Sequence, residues 1–557
     1  MQIANASFTK TVAKFSQSSW LLLIGAIALL IAAPVLIILR GVFVDAGQVW
    51  QDLVKTVLST YITNSLWLML GVGLGTALIG TGTAWLVTMC RFPGGRLFEW
   101  ALLLPLAAPA YLLAYVYTDL LAYYGPVQGW LRQQFSWQSA TDYWFPNVRS
   151  LPGAILMLTL VLYPYVYLLA RSTFLAQSVC LSEASRSLGC TPWQSFWRIA
   201  LPLARPSIAA GLSLALMETL NDFGTVQFFS VDTFTTGIYR TWFSLGNLPA
   251  ATQLAAVLLL FVLVLLVLER WSRGRARFYQ TANRTQQLHK YRLGMLPAIA
   301  AFFACLLPVL LGFWVPAGVL LKLALDDVET NFDDRFWSFA TNSLTLALLT
   351  GAIAVLIALI LAYGLRLYPR WSVRLATQIA SMGYAVPGSV IAVGILVPLG
   401  ALDNAVDAWM RSTFNISTGL LLSGTITALV YAYLVRFLAV SFSSVDASLT
   451  GIKPSLDDAA RSLGHSPFST LWRIHTPLIR GGLLTAATLV FVDVMKELPA
   501  TLIVRPFDFD TLAVRVYNLA SDERLAEAAG PALAIVVVGL LPVLLLSVGI
   551  YRSRSQQ

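Results

Sequence analysis

The sequence is poor in charge, cysteine and histidine. Lys, Arg, Asp and Glu supply 11% of its 557 residues, against roughly 25% in an ordinary soluble domain. No stretch is polar enough to form a large domain in water. The four cysteines, Cys90, Cys180, Cys190 and Cys305, form no C-x-x-C pair, and none falls in a segment expected outside the membrane. That argues against a disulfide framework and against a thiolate metal site. The three histidines, His289, His465 and His475, all fall on the side expected to be cytosolic. The outer face therefore lacks the usual ligands for soft or borderline metals, and the oxygens of carboxylates and tyrosines, which suit hard cations, remain. No G-x-x-x-x-G-K-[ST] occurs, so the chain has no P-loop with which to hold ATP.

Apolar residues are abundant: 57% of the chain is hydrophobic and the mean hydropathy is +0.73. Runs near the ~20 residues needed to cross a bilayer occur at 20–39, 63–89, 100–121, 151–170, 207–228 and 250–268, and again at 296–320, 342–364, 375–396, 418–440, 482–504 and 531–550. The expectation is an all-α membrane protein of about twelve transmembrane helices. Residues 1–19 read as a short polar tail. The first run is too long for a signal-peptide core and is kept as an uncleaved span.

The halves repeat one another. Asn64-Ser65-Leu66 recurs as Asn342-Ser343-Leu344 and Pro109 as Pro387, with 342 − 64 = 387 − 109 = 278. Six spans per half make the repeats parallel, related by an axis along the membrane normal. The expected organisation is a first repeat over 1–270, a basic linker over 271–294 and a second repeat over 295–557. Gly71, Gly73, Gly75 and Gly80 in the second run point to close helix packing.

The net charge of +10 does not indicate nucleic acid, because the cations sit in short loops where they act as topology signals. Arg91, Arg96, Arg366, Arg370, Arg374 and the seven cations from Arg270 to Arg292 mark one side as cytosolic, with both termini on that side. The linker could also meet anionic lipid. The opposite face, 122–149, 232–247, 326–336, 402–415 and 505–527, carries acids and aromatics, including Asp326, Asp327, Glu329, Asp333 and Asp334. It reads as solvated loop or as a surface for an external partner.

One cytosolic loop occurs twice. The first copy, 183–202, holds Glu183, Ala184, Arg186, Gly189, Thr191-Pro192 and Pro202. The second, 458–477, holds Asp458, Ala459, Arg461, Gly464, Ser466-Pro467 and Pro477. Acids in the first turn suit a helix dipole, and glycine is a natural helix stop. A hydroxyl followed by proline starts a second helix, which the final proline should break. The pattern resembles the EAA loop of ABC importer permeases, the segment that docks in a groove of the ATPase. Ser185, Asp458 and Thr476 depart mildly from it. The resemblance implies a type I importer permease fold and coupling through both loops. It also implies two copies of a separate ABC ATPase that hold ATP-Mg, with no cofactor bound by this chain and no catalysis in it.

Just after each loop come acids at membrane depth, Glu218 and Asp222, then Asp493 and Glu497, with 493 − 218 = 275. Each pair is spaced i, i+4 and should share a helix face. An acid there costs roughly 2.5–3.5 kcal/mol on insertion scales. They either line a path for a cation or brace a broken helix by pairing with backbone or with Lys496. No fixed metal site is expected, although transient contact with a cation at these four residues would fit the path reading.

Around them, Glu218-Thr-Leu-Asn-Asp-Phe-Gly-Thr225, Thr233 to Trp242, Lys496-Glu-Leu-Pro-Ala-Thr501 and Arg505 to Thr511 resemble the fused permeases of ferric-iron ABC importers. Fused thiamine permeases look similar. An ion-gradient-driven secondary transporter is the competing class, but it gives no reason for the doubled loop. The ferric resemblance implies a bacterial cytoplasmic (inner) membrane location and a periplasmic or extracellular ferric-iron-binding protein as donor.

Overall fold

The computed structural model describes residues 2–176, 189, 191–273 and 290–555. Among these, ten helices are long and apolar enough to cross a membrane, and two bent pairs raise the number to twelve. Six fall in each half.

The first bend comes from proline. The run expected as one span at 100–121 is two pieces, Gly95–Ala107 and Ala110–Phe135, turned by 89°. Ala108, just before Pro109, is extended at φ −104°, ψ 126°, and Val386, just before Pro387, takes φ −83°, ψ 126°. Proline disfavours the α region for the residue before it, so both repeats break at the same place. The run at 375–396 accordingly divides into Trp371–Ala380 and Gly388–Phe414.

Two compact units form. One comprises Met1–Asp45 with Phe339–Thr511. In it the first helix, Gln2–Gly41, packs on Trp371–Ala380 and Gly388–Phe414. A side chain at Gly394 would sit 2.5 Å from the carbonyl oxygen of Pro34. The N-terminal helix therefore packs within the second repeat's helices.

The other unit comprises Ala46–Ser338 with Leu512–Gln557. Its centre is the pair Leu58–Met89 and Leu151–Ala176. Gly71 lies over Ile155, Gly75 over Thr159 and Gly80 over the Tyr163 carbonyl, each too close for a Cβ. Small residues on one face let the two helices approach; Gly73 faces Leu212 and Leu216 at ordinary contact distance. The last helix, Leu525–Ser555, joins this unit by packing on Val315–Asp326.

The repeated Asn-Ser-Leu has a matching structural role. Asn64 Nδ2 donates to the carbonyl of Asp232 at 2.9 Å, and Asn342 Nδ2 donates to the carbonyl of Asp510 at 3.1 Å. Each asparagine ties its membrane helix to a loop of its own unit.

Candidate coupling loops and intramembrane carboxylates

The second loop is helix, turn, helix. Asp458, Ala459 and Arg461 lie in the helix Ser455–Ser462, with Asp457 and Asp458 in its first turn. Gly464 ends it with φ +79°. Its N–H donates to the carbonyl of Arg461 at 3.0 Å, and His465 N–H donates to that of Ala460 at 3.0 Å. These two bonds satisfy the last carbonyls in a Schellman turn, which needs a left-handed residue at this position. Ser466 Oγ then accepts from the N–H of Ser469 at 3.2 Å, and Pro467 opens the next helix.

The first loop shows the same device where it is described. Gly189 has φ +75°. Thr191 Oγ1 accepts from Gln194 N–H at 3.3 Å while Gln194 Oε1 accepts from Thr191 N–H at 3.0 Å, a reciprocal capping box. Glu183, Ala184 and Arg186 lie outside the described residues.

Pro202 does not end its helix, contrary to expectation. A π turn at Phe196–Ala200 precedes it, with Leu201 N–H donating to the Phe196 carbonyl. This wider turn absorbs the donor and the space that proline denies a regular helix, and the helix continues to Asn221. The second copy has the same π turn at Leu471–His475. There the chain leaves the helix at Ile479, shortly after Pro477, and turns by 78° into Arg480–Met495.

The carboxylates do not share a helix face as their spacing suggested. Glu218 lies in the last turn of Leu201–Asn221, but Asp222 is extended at ψ 133°. Asp493 lies near the end of Arg480–Met495, and Glu497 follows the cap residue Lys496. Each second acid caps the short helix after the break. Asp222 Oδ1 accepts from Val226 N–H at 3.1 Å and Oδ2 from Thr225 Oγ1 at 2.9 Å. Glu497 accepts from Ala500 N–H at 2.9 Å and from Thr501 N–H at 3.0 Å. Since 497 − 222 = 501 − 226 = 275, this is one motif in two copies. Asp493 pairs with Lys496 at 2.9 Å. Glu218, Asp222 and Asp493 are half-buried, and Glu497 is buried.

Several acids expected on the outer face serve their own loops. Asp327 Oδ1 accepts from Thr330 N–H at 3.2 Å and Asp333 Oδ1 from Phe336 N–H at 2.8 Å. The Ser139 and Gln138 N–H groups hold the Asp142 carboxyl below its usual range. Tyr124 and Trp144 in the same region are 93% and 86% exposed. No cluster of three or more His, Cys, Asp or Glu able to hold a metal occurs among the described residues.

Comparison with known proteins adds the family. The family described as binding-protein-dependent transport system inner membrane component matches residues 76–278 and again 354–553. The chain belongs to this family. It is a multi-pass inner-membrane transport permease carrying the family unit twice. It is 28% identical over 539 residues to the Fe(3+)-transport system permease protein FbpB 2 of Haemophilus influenzae, covering 95% of this chain and 97% of that one. It is 23% identical to the ferric transport system permease protein FbpB of Actinobacillus pleuropneumoniae, covering 95% and 77%. The molybdenum transport system permease protein ModB of Escherichia coli (strain K12) is 30% identical over 205 residues, which is 35% of this chain and 85% of ModB.

Buried charges in this permease that escaped the sequence reading include Arg436 and the pair Glu99 and Arg171. Arg436 lies in the helix Ile426–Thr450 with its Nη1 3.4 Å from Glu497 Oε1. A lone cation within an apolar run was the available signal, since such a residue needs a partner. Glu99 is also buried, with Arg171 Nη2 at 3.3 Å and Lys290 Nζ at 3.6 Å. Lys290 also donates to the carbonyl of Val87 at 2.8 Å. Beside it Tyr291–Arg292 pair in parallel with Cys90–Arg91, which anchors the far end of the basic linker. Residues 274–289 of that linker lie outside the described residues.

Proposed function

We propose that this permease imports ferric iron, delivered by an external ferric-binding protein and driven by ATP hydrolysis on two copies of a separate ATPase. The observation that carries the substrate is the similarity to FbpB 2 along nearly the full length of both chains. The scarcity of soft ligands outside supports a hard cation. The loops at 183–202 and 458–477 are the coupling segments, and their matched glycine turns and π turns support a shared docking role. The ATPases hold ATP-Mg on the cytosolic side, where both termini lie. Glu218, Asp222, Asp493 and Glu497 touch the cation transiently as it passes.

The test is uptake of radioactive iron from the loaded binding protein into vesicles containing permease and ATPase. Uptake that requires ATP, stops with vanadate and ignores excess thiamine is expected. Uptake driven by an ion gradient without ATP would overturn the reading, and competition by thiamine would reassign the substrate.

A further inference from the structure

The second loop is fastened to a membrane helix by one guanidinium. Arg366 lies in the last turn of the helix Asp334–Leu367. Its Nε and Nη2 sit 2.9 and 2.8 Å from Asp457 Oδ2. Its Nη1 donates to the carbonyl of Leu449 at 2.6 Å and its Nη2 to that of Ile452 at 3.0 Å. Those carbonyls end the helix Ile426–Thr450 and the turn beyond it; the Leu449 carbonyl also accepts the Ile452 N–H at 3.1 Å, so the guanidinium adds a donor to a turn already closed by backbone. The planar, five-donor fork of arginine can hold all three sites at once; the single ammonium of lysine cannot reproduce that fork.

The fastening reaches both limbs of the loop. Asp457, on the first limb, brings Oδ1 within 2.8 Å of Nε2 of His475, a fully buried ring at the end of the second limb. Tyr363, one turn before Arg366, donates to the carbonyl of Pro467 at 2.7 Å. Its ring also meets that of His475 at 5.6 Å.

The described residues at the matching positions of the first repeat differ in type. At the repeat offset, 363 − 278 = 85 and 366 − 278 = 88, which are Trp85 and Thr88, and 475 − 275 = 200 is Ala200. Thr88 Oγ1 bonds back to its own helix at Ala84. Trp85 packs on Phe196 at 5.2 Å and on Phe174 at 5.6 Å. Among the described residues, the positions matching Tyr363 and Arg366 therefore offer a ring contact and a bond within their own helix.

We propose that Arg366, Asp457 and Tyr363 are positioning residues for coupling, making the second loop and the helix Asp334–Leu367 one lever. This rests on the coupling role given to the loops above.

The test uses the importer reconstituted with its ATPase, measuring iron uptake, ATP hydrolysis and co-purified ATPase together. Arg366→Lys and Asp457→Asn should each lower iron carried per ATP by about fivefold or more, the low end of a typical coupling energy. Tyr363→Phe should lower it less. Co-purified ATPase should match the wild type, and Asp457→Glu should recover much of the loss. Gly464→Trp probes the loop itself. An unchanged ratio in Arg366→Lys and Asp457→Asn, with Gly464→Trp uncoupled, overturns the lever alone. Uptake and hydrolysis falling in proportion would make the contacts a stability feature and also overturn it. A Gly464→Trp protein with normal uptake per ATP would overturn the coupling role and the lever with it.

Discussion

Arg436 Nη1 lies 3.4 Å from Glu497 Oε1, and the two side chains are 6% and 2% exposed. The carboxylate also accepts from Ala500 N–H, Thr501 N–H and Thr501 Oγ1, while Gly388 leaves room for the pair, since a Cβ there would meet Arg436 Nη1 at 2.7 Å. Breaking a buried pair from one side leaves a charge stranded at a cost of about 3–5 kcal/mol, whereas replacing both partners is milder. Arg436→Met should therefore lower the melting temperature in detergent sharply, and Arg436→Met with Glu497→Gln should recover part of the loss. Equal melting for the single and double variants would separate the two residues energetically.

The glycine turns give a second prediction. Gly189 and Gly464 sit at φ +75° and +79°, and a Cβ at either position would meet nothing within 4 Å. The left-handed backbone costs roughly 1–2 kcal/mol for a non-glycine residue. That strain falls on the turn alone. Gly189→Val and Gly464→Val should keep membrane insertion, as judged by yield and gel filtration, while uptake per ATP falls. Normal transport by both would detach the turns from coupling.

These turns were legible in the sequence because glycine, hydroxyl and proline act locally, and the duplication was legible because it repeats residue types at fixed offsets. The asparagine tie also repeats, with Asn64 and Asn342 each reaching an aspartate carbonyl 168 residues on. Legibility failed where one spacing allows two local structures, or where packing between distant segments decides. Glu218 and Asp222 read as one face because their spacing is helical, yet the acid's bonds to Val226 and Thr225 favour a break. Pro202 read as a stop because the π turn ahead of it has no residue signature. The exchange of terminal helices between the compact units depends on packing across hundreds of residues, which composition does not report.

Close packing supplies a third prediction with its own control. A Cβ at Gly80 would lie 2.8 Å from the carbonyl oxygen of Tyr163 and 2.9 Å from Tyr167 N, both backbone atoms, while one at Gly82 meets nothing within 4 Å. Gly80→Ala should force the helices Leu58–Met89 and Leu151–Ala176 apart and destabilise by about 1–3 kcal/mol, the usual range for overpacking. Gly82→Ala, two residues on, should melt like the wild type. Identical melting curves would mean the pair tolerates a wider separation.

The four carboxylates separate into two kinds, and that makes the path testable. Asp222 and Glu497 cap helices, so Asp222→Asn or Glu497→Gln disturbs folding and transport together. Glu218 and Asp493 belong to the helices before the breaks and are half-buried. Glu218→Gln with Asp493→Asn keeps side-chain size while removing two negative charges and leaving one acceptor oxygen on each group. If a cation passes these groups, losing the charges weakens its attraction where the surroundings screen least. Iron uptake should then fall several-fold while yield, melting and co-purified ATPase hold. Full uptake by that double variant would assign both acids to bracing, with Asp493 serving only its 2.9 Å pair with Lys496.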